Sequence, residues 1–156
     1  ELEVYQEHLA TEAIRSLLAG LAGMRPESQQ RTAALGLVSC APGDAHELIP
    51  LALASYLTCR GWSARNLGVG LPAGQIARAV AAFHPQVLFL TFTMLSRFED
   101  VLEVMAEVRR QPGHCPIIVG GRGAVATRHV LEGRGALVAL DFDEGFRLAG
   151  EGRGHA

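Results

Sequence analysis

Residues 33–60 read AALGLVSCAPGDAHELIPLALASYLTCR, and this stretch decides the fold. It opens on an apolar run, Ala33 to Ser39, of a length suited to a buried strand. The run breaks at Pro42-Gly43, and a helical pattern follows from about Leu48 to Arg60. A strand handed directly to a helix is one βα unit, and such units build parallel sheets covered on both faces. The turn between them carries Asp44-Ala45-His46. Asp44 as a helix cap, with Glu47 completing a capping box, is the bland reading. Pro50 opposes it: the proline would then be the sixth helical residue, where its missing N–H and its ring cost roughly 3 kcal/mol. A helix starting at or after Glu47 leaves His46 in the loop.

The same alternation continues outward. A strand is expected around Ser63–Leu67, a helix at Ala73–Phe83, a strand at Gln86–Thr91 and a helix at Phe98–Arg110. A strand at Pro116–Val119, a helix near Ala124–Leu131, a short strand at Ala136–Leu140 and a last helix from Asp143 complete the pattern. Five βα units predict an α/β, flavodoxin-like (Rossmann-type) parallel sheet of order 2-1-3-4-5 over residues 31–150. A ligand then belongs outside the carboxyl edge, between strands one and three. Upstream, Leu2, Tyr5, Leu9, Ile14, Leu17, Leu18 and Leu21 recur at helical spacing. Residues 1–25 are therefore expected as one amphipathic helix, 26–30 as a linker, and the Gly-rich 151–156 as a disordered tail. Because the chain opens at Glu1 inside a helical pattern, it is expected to be a fragment of something longer.

Composition excludes several classes. Fourteen basic and sixteen acidic residues give a net charge of −2, so no basic footprint marks a nucleic-acid reader. The longest apolar runs, such as VLFLTFTML from Val87, fall short of the roughly 20 residues of a membrane span. Three cysteines without C-x-x-C spacing, Cys40, Cys59 and Cys115, read as small core residues of a reduced cytoplasmic protein. There is no P-loop, nucleophile elbow or G-x-G-x-x-G, and no paired acid and base, so intrinsic catalysis has little support.

Spacing is more informative. Forty-one residues separate Ile49 from Thr91, and twenty-six separate Thr93 from the Gly120-Gly121 pair. On the expected topology Asp44, His46, Thr91, Thr93, Gly120 and Gly121 all fall on the carboxyl edge. These intervals resemble the cobalamin-binding signature D-x-H-x-x-G, S-x-L, G-G. Ile49 stands at the glycine, Thr91 at the serine and Thr93 at the leucine. Gly68-Val69-Gly70-Leu71-Pro72 is similar to the L-G-V-x-V-P turn of the same family, which borders the corrin edge. Glu7-His8, within Tyr5 to Thr11, resembles the E-H segment of cobalamin-dependent, light-sensing transcriptional regulators, whose helical bundle covers the upper corrin face; the resemblance implies that residues 1–25 are the C-terminal part of such a helical cap.

That resemblance implies His46 as lower ligand to cobalt, with Asp44 accepting its other ring proton, in the base-off, histidine-on mode. It implies Thr91 hydrogen-bonding the benzimidazole tail, Gly120 and Gly121 admitting the tail, Gly70 and Leu71 at the corrin edge, and Glu7 and His8 toward the upper ligand. Ile49 would narrow the tail groove, and a buried Thr93 hydroxyl would need a partner. The expected function is a sensory or regulatory domain, a photoreceptor using adenosylcobalamin, acting as a homo-oligomer or through an output domain. The runner-up is a corrinoid carrier of a methyltransferase or mutase. A third reading is a pocket turned to haem or a bilin, alone or beside cobalamin.

Overall fold

The structure is a computed structural model and describes residues 3–22 and 34–151. Five short strands form it: β1 Leu35–Cys40, β2 Ser63–Asn66, β3 Val87–Thr91, β4 Ile117–Gly120 and β5 Leu137–Ala139. Every neighbouring pair is parallel, and the order is β2-β1-β3-β4-β5, as the alternation of the sequence predicts. The helices are α1 Val4–Ala22, α2 Leu48–Cys59, α3 Ala73–Phe83, α4 Phe98–Arg109, α5 Arg122–Ala126, α6 Arg128–Gly133 and α7 Phe142–Glu151.

The strand β3 shows why the sheet sits between two helical layers. All five of its residues are buried, and they alternate between faces. Val87 and Phe89 join a core with Leu53 and Leu57 of α2, Trp62, and Ala149 of α7. Leu88 and Leu90 join the other core, with Ile76 and Val80 of α3, Val101 and Val104 of α4, and Leu131 of α6. Burying each such side chain contributes roughly 1.5–3 kcal/mol before chain entropy is counted. A one-residue slip of β3 would exchange the two sets, so register is strongly specified.

Register also builds the site. Cys40 of β1 lies opposite Thr91 of β3, Thr91 opposite Gly120 of β4, and Gly120 opposite Ala139 of β5. One row across the carboxyl edge thus gathers motif residues far apart in the chain.

Two sequence expectations change. The single helix expected at Ala124–Leu131 is two, α5 and α6, broken at Thr127. The Thr127 hydroxyl donates to the Gly123 carbonyl at 2.8 Å, and its backbone leaves the helical region at φ −114°, ψ 14°. Cys40 and Cys115 are buried as expected, but Cys59, the last residue of α2, is exposed. The helix α1 is a single helix as expected; its apolar Tyr5, Leu9 and Leu17 are 64–70 % exposed, and two polar contacts tie it to the sheet domain. Arg15 pairs with Glu47, and Ser55 donates its hydroxyl to the Leu18 carbonyl at 3.3 Å. The linker at 26–30 and most of the tail, 152–156, lie outside the described residues.

Candidate functional site

The loop after β1 is organised by one buried carboxylate. The helix α2 begins at Leu48, and no side chain caps it, so Asp44 is not spent as a helix cap. Pro50 falls in the first turn, where a missing N–H costs nothing. Asp44 is 1 % exposed, and both its oxygens are occupied. Oδ1 accepts the His46 backbone N–H at 3.2 Å and faces His46 Nδ1 at 2.5 Å. Oδ2 accepts the backbone N–H groups of Thr93 at 2.7 Å and Met94 at 3.3 Å. Asp44 therefore ties the loop after β1 to the loop after β3.

Burial alone would push the Asp44 carboxyl up, but the His46 ring, the Thr93 N–H and the other two N–H groups outweigh it and hold its pKa below the ordinary 3.8. An ionised acceptor at Nδ1 selects the tautomer with the proton there. In the neutral ring the lone pair is then on Nε2, which has no hydrogen-bond partner among the described residues. The His46 side chain is 48 % exposed and lines an open hollow with Thr11, Ala45, Glu47, Leu48 and Ile49.

A second space lies on the other side of Ile49. It is an apolar cavity of about 130 Å³, walled by Ile49 and Leu53 of α2, by Phe142 and Gly145 of α7, and by the strand row. Thr91, Gly120 and Gly121 all line it, so with Ile49 four of the motif residues meet there. The buried Thr91 hydroxyl reaches the Ser39 carbonyl only at 3.5 Å, the outer limit of a hydrogen bond. Thr93 does not line the cavity; its backbone holds Asp44, and its buried hydroxyl finds no partner among the described residues. Gly121 has a further role. At φ +107° a Cβ there would stand 2.5 Å from the Phe92 carbonyl oxygen, so glycine is required by the packing of β4 on the loop after β3. Gly120 has only an ordinary contact, 3.7 Å to the Ala139 carbonyl.

Gly70 and Leu71 occupy the loop after β2, on the same edge; Gly70 is left-handed at φ +79°, and Leu71 packs on the α3–α4 core. Glu7 and His8 are exposed on α1. Helical spacing sets them one turn before Thr11, flanking the row of Thr11, Arg15 and Leu18 that meets the domain. Glu47, next to the histidine, is held below the ordinary carboxylate range by its hydrogen bond from Arg15.

Sequence reasoning missed the cavity walls Leu53 and Phe142. Leu53 had a signal, since it follows Ile49 by four residues on one helix face. It also missed Arg97, whose guanidinium lies so close over Gly43 that a Cβ there would stand 2.7 Å from it. That contact joins two loops and leaves no trace in local sequence.

A family model for the B12 binding domain matches residues 34–146, and so covers most of the chain. The chain belongs to the B12-binding domain family. Among its relatives are two from Myxococcus xanthus, the HTH-type transcriptional repressors CarA and CarH. CarA is 32% identical over 123 residues, 79% of this chain and 42% of the relative. CarH is 31% identical over 150 residues, 96% of this chain and 49% of the relative. The chain thus spans about half the length of these relatives or less. The B12-binding fold is also seen in a cobalamin-binding protein from Desulfitobacterium hafniense, with TM-score 0.69 at 16% identity over 93% of this chain and 83% of that one. The monomethylamine corrinoid protein of Methanosarcina barkeri gives TM-score 0.70 at 18% identity, over 91% of this chain and 66% of that one. Among the described residues, no helix is long and apolar enough to cross a membrane.

Proposed function

We propose that this B12-binding domain holds cobalamin through His46 Nε2 as the lower ligand to cobalt, and that it serves as a sensory or regulatory domain using adenosylcobalamin. The observation that carries the ligand assignment is the buried, ionised Asp44 at 2.5 Å from His46 Nδ1. Such a partner fixes the tautomer and orients the ring with its free nitrogen outward. The donor set fits this metal. Among the described residues no three His, Cys, Asp or Glu side chains cluster, so the site offers a single strong ligand, and a metal carried in its own macrocycle needs no more.

A bound corrinoid would supply ligand exchange at its cobalt, sensitive to light where an alkyl ligand is carried. The rest falls to the chain. Thr93 and Met94 N–H groups keep Asp44 in place, and Asp44 keeps the Nδ1 proton of His46. Glu47, beside the metal ligand, is paired with Arg15 of α1, so displacement of His46 bears directly on the α1–α2 contact. Glu7 and His8 lie one turn farther along α1, in reach of the same side of the domain. A helix whose outward face is apolar and whose inward contact abuts the ligand is suited to passing a change of ligation to oligomeric state. The regulatory reading is supported by relatives that are transcriptional repressors.

The test is an absorption spectrum of the protein loaded with adenosylcobalamin in darkness, before and after green light, beside His46→Ala. A lasting light-driven shift with a changed elution volume is expected, and a histidine-on spectrum absent from His46→Ala. An unchanged spectrum in that variant refutes the ligand assignment. Uptake without any lasting response to light refutes the sensory role and leaves a corrinoid carrier.

A further inference from the structure

Ile49 alone lines both hollows of the site. On one side it borders the open space that holds His46, and on the other the apolar cavity. A group bound at His46 that also places a ring in the cavity by the direct route must pass this side chain. The partition is stiff. Isoleucine in a helix has essentially one χ1 rotamer, and the buried Pro50 that follows restricts how far the backbone can give way.

The cavity itself is suited to a flat heterocycle. Its lining is almost wholly apolar, and it offers the Thr91 hydroxyl, which reaches the Ser39 carbonyl only at 3.5 Å and otherwise meets the weakly polar Cys40 thiol, so that a stronger partner could take its place. Its size is the restriction. An apolar cavity of about 150 Å³ takes one benzene-sized ring, so at about 130 Å³ this one holds a fused two-ring base only if its walls, Ile49 first, give way.

We propose that Ile49 is a size filter on the lower base of the corrinoid, so that this chain binds a corrinoid without a base at least as tightly as one carrying benzimidazole. This rests on the corrinoid reading above, and names which members of that class the site prefers. The far end of the cavity provides a control. Leu140 and Gly121 are shared there with a separate surface hollow that His46 does not line, so trimming Leu140 widens the cavity without opening the route from the metal ligand.

Isothermal titration in darkness with cobalamin and with cobinamide, the same corrin lacking its nucleotide base, tests the filter. Wild type is expected to bind cobinamide as tightly as cobalamin or more so. Ile49→Ala is expected to tighten cobalamin about tenfold, the effect of relieving a methylene-scale clash in an apolar pocket, with cobinamide unchanged and Leu140→Ala like wild type. Thermal unfolding confirms that each variant is folded. A wild-type preference for cobalamin of about tenfold or more, or an unchanged ratio in folded Ile49→Ala, overturns the filter while leaving corrinoid binding intact. Failure of wild type to bind either corrinoid overturns the proposed function and the filter together.

Discussion

The two hollows that meet at Ile49 are built by different physics. On the His46 side the structure is polar and directional: one carboxylate accepts four hydrogen bonds and leaves one ring nitrogen free. On the cavity side it is apolar and volumetric, defined by how much room Leu53, Phe142 and the strand row leave. A directional site tolerates no change of donor or acceptor, because each buried group left alone costs its full desolvation. A volumetric site tolerates changes of chemistry but not of size. Under the proposed function, the identity of the ligand atom is thus decided on one side of Ile49, and the shape of the ligand on the other.

Substitutions along this border separate the two kinds of construction. The largest loss of stability is expected at the glycine pair. Gly121→Ala forces a Cβ to within 2.5 Å of the Phe92 carbonyl at φ +107°, and should cost about 3 kcal/mol or more in urea unfolding. Its neighbour Gly120→Ala, with an ordinary contact at 3.7 Å, should cost under about 1 kcal/mol. Equal losses at the two positions would remove the argument that Gly121 serves backbone packing.

Asp44→Asn comes next. It replaces an acceptor by a donor among N–H groups and should destabilise by about 2 kcal/mol at neutral pH. The pH dependence has a definite sign. The folded pKa of Asp44 is depressed, so its stabilisation is present above the ordinary value of 3.8 and is lost as pH falls through the folded value. The gap between wild type and Asp44→Asn should therefore narrow in acid below that value, and a gap that widened would contradict an ionised Asp44. The same variant should weaken corrinoid binding about 10- to 100-fold through loss of His46 orientation.

Ile49→Ala, at a half-buried position, should cost about 1 kcal/mol of stability, less than a fully buried isoleucine. The smallest effect is expected at the α1 contact. Arg15 and Glu47 are each more than a third exposed, so Arg15→Ala should change stability by under about 0.5 kcal/mol. On the proposed sensory role, that substitution should instead alter the change of elution volume on illumination; an unaltered response would detach α1 from signalling.

Much of this was legible in the chain. The βα alternation gave the sheet and its order, Pro50 placed the start of α2 after His46, and the intervals from His46 to Thr91 and Gly120 gave one row of the carboxyl edge. These features depend on local pattern and on segment lengths, which a linear sequence records directly. The break at Thr127 was less visible, because a threonine's choice between solvent and its own backbone depends on a single rotamer. Arg97 over Gly43 left no local signal at all.

The sequence by itself determined the fold class and the edge of the sheet that gathers Asp44, His46, Thr91 and Gly120, because periodicity and spacing are properties of the chain. Only the tertiary structure decided that Asp44 is buried and fully bonded, that Thr93 acts through its backbone, and that Ile49 divides the site in two. Each of those is a matter of what stands within a few ångströms from a distant part of the chain, and packing, unlike spacing, exists only after folding.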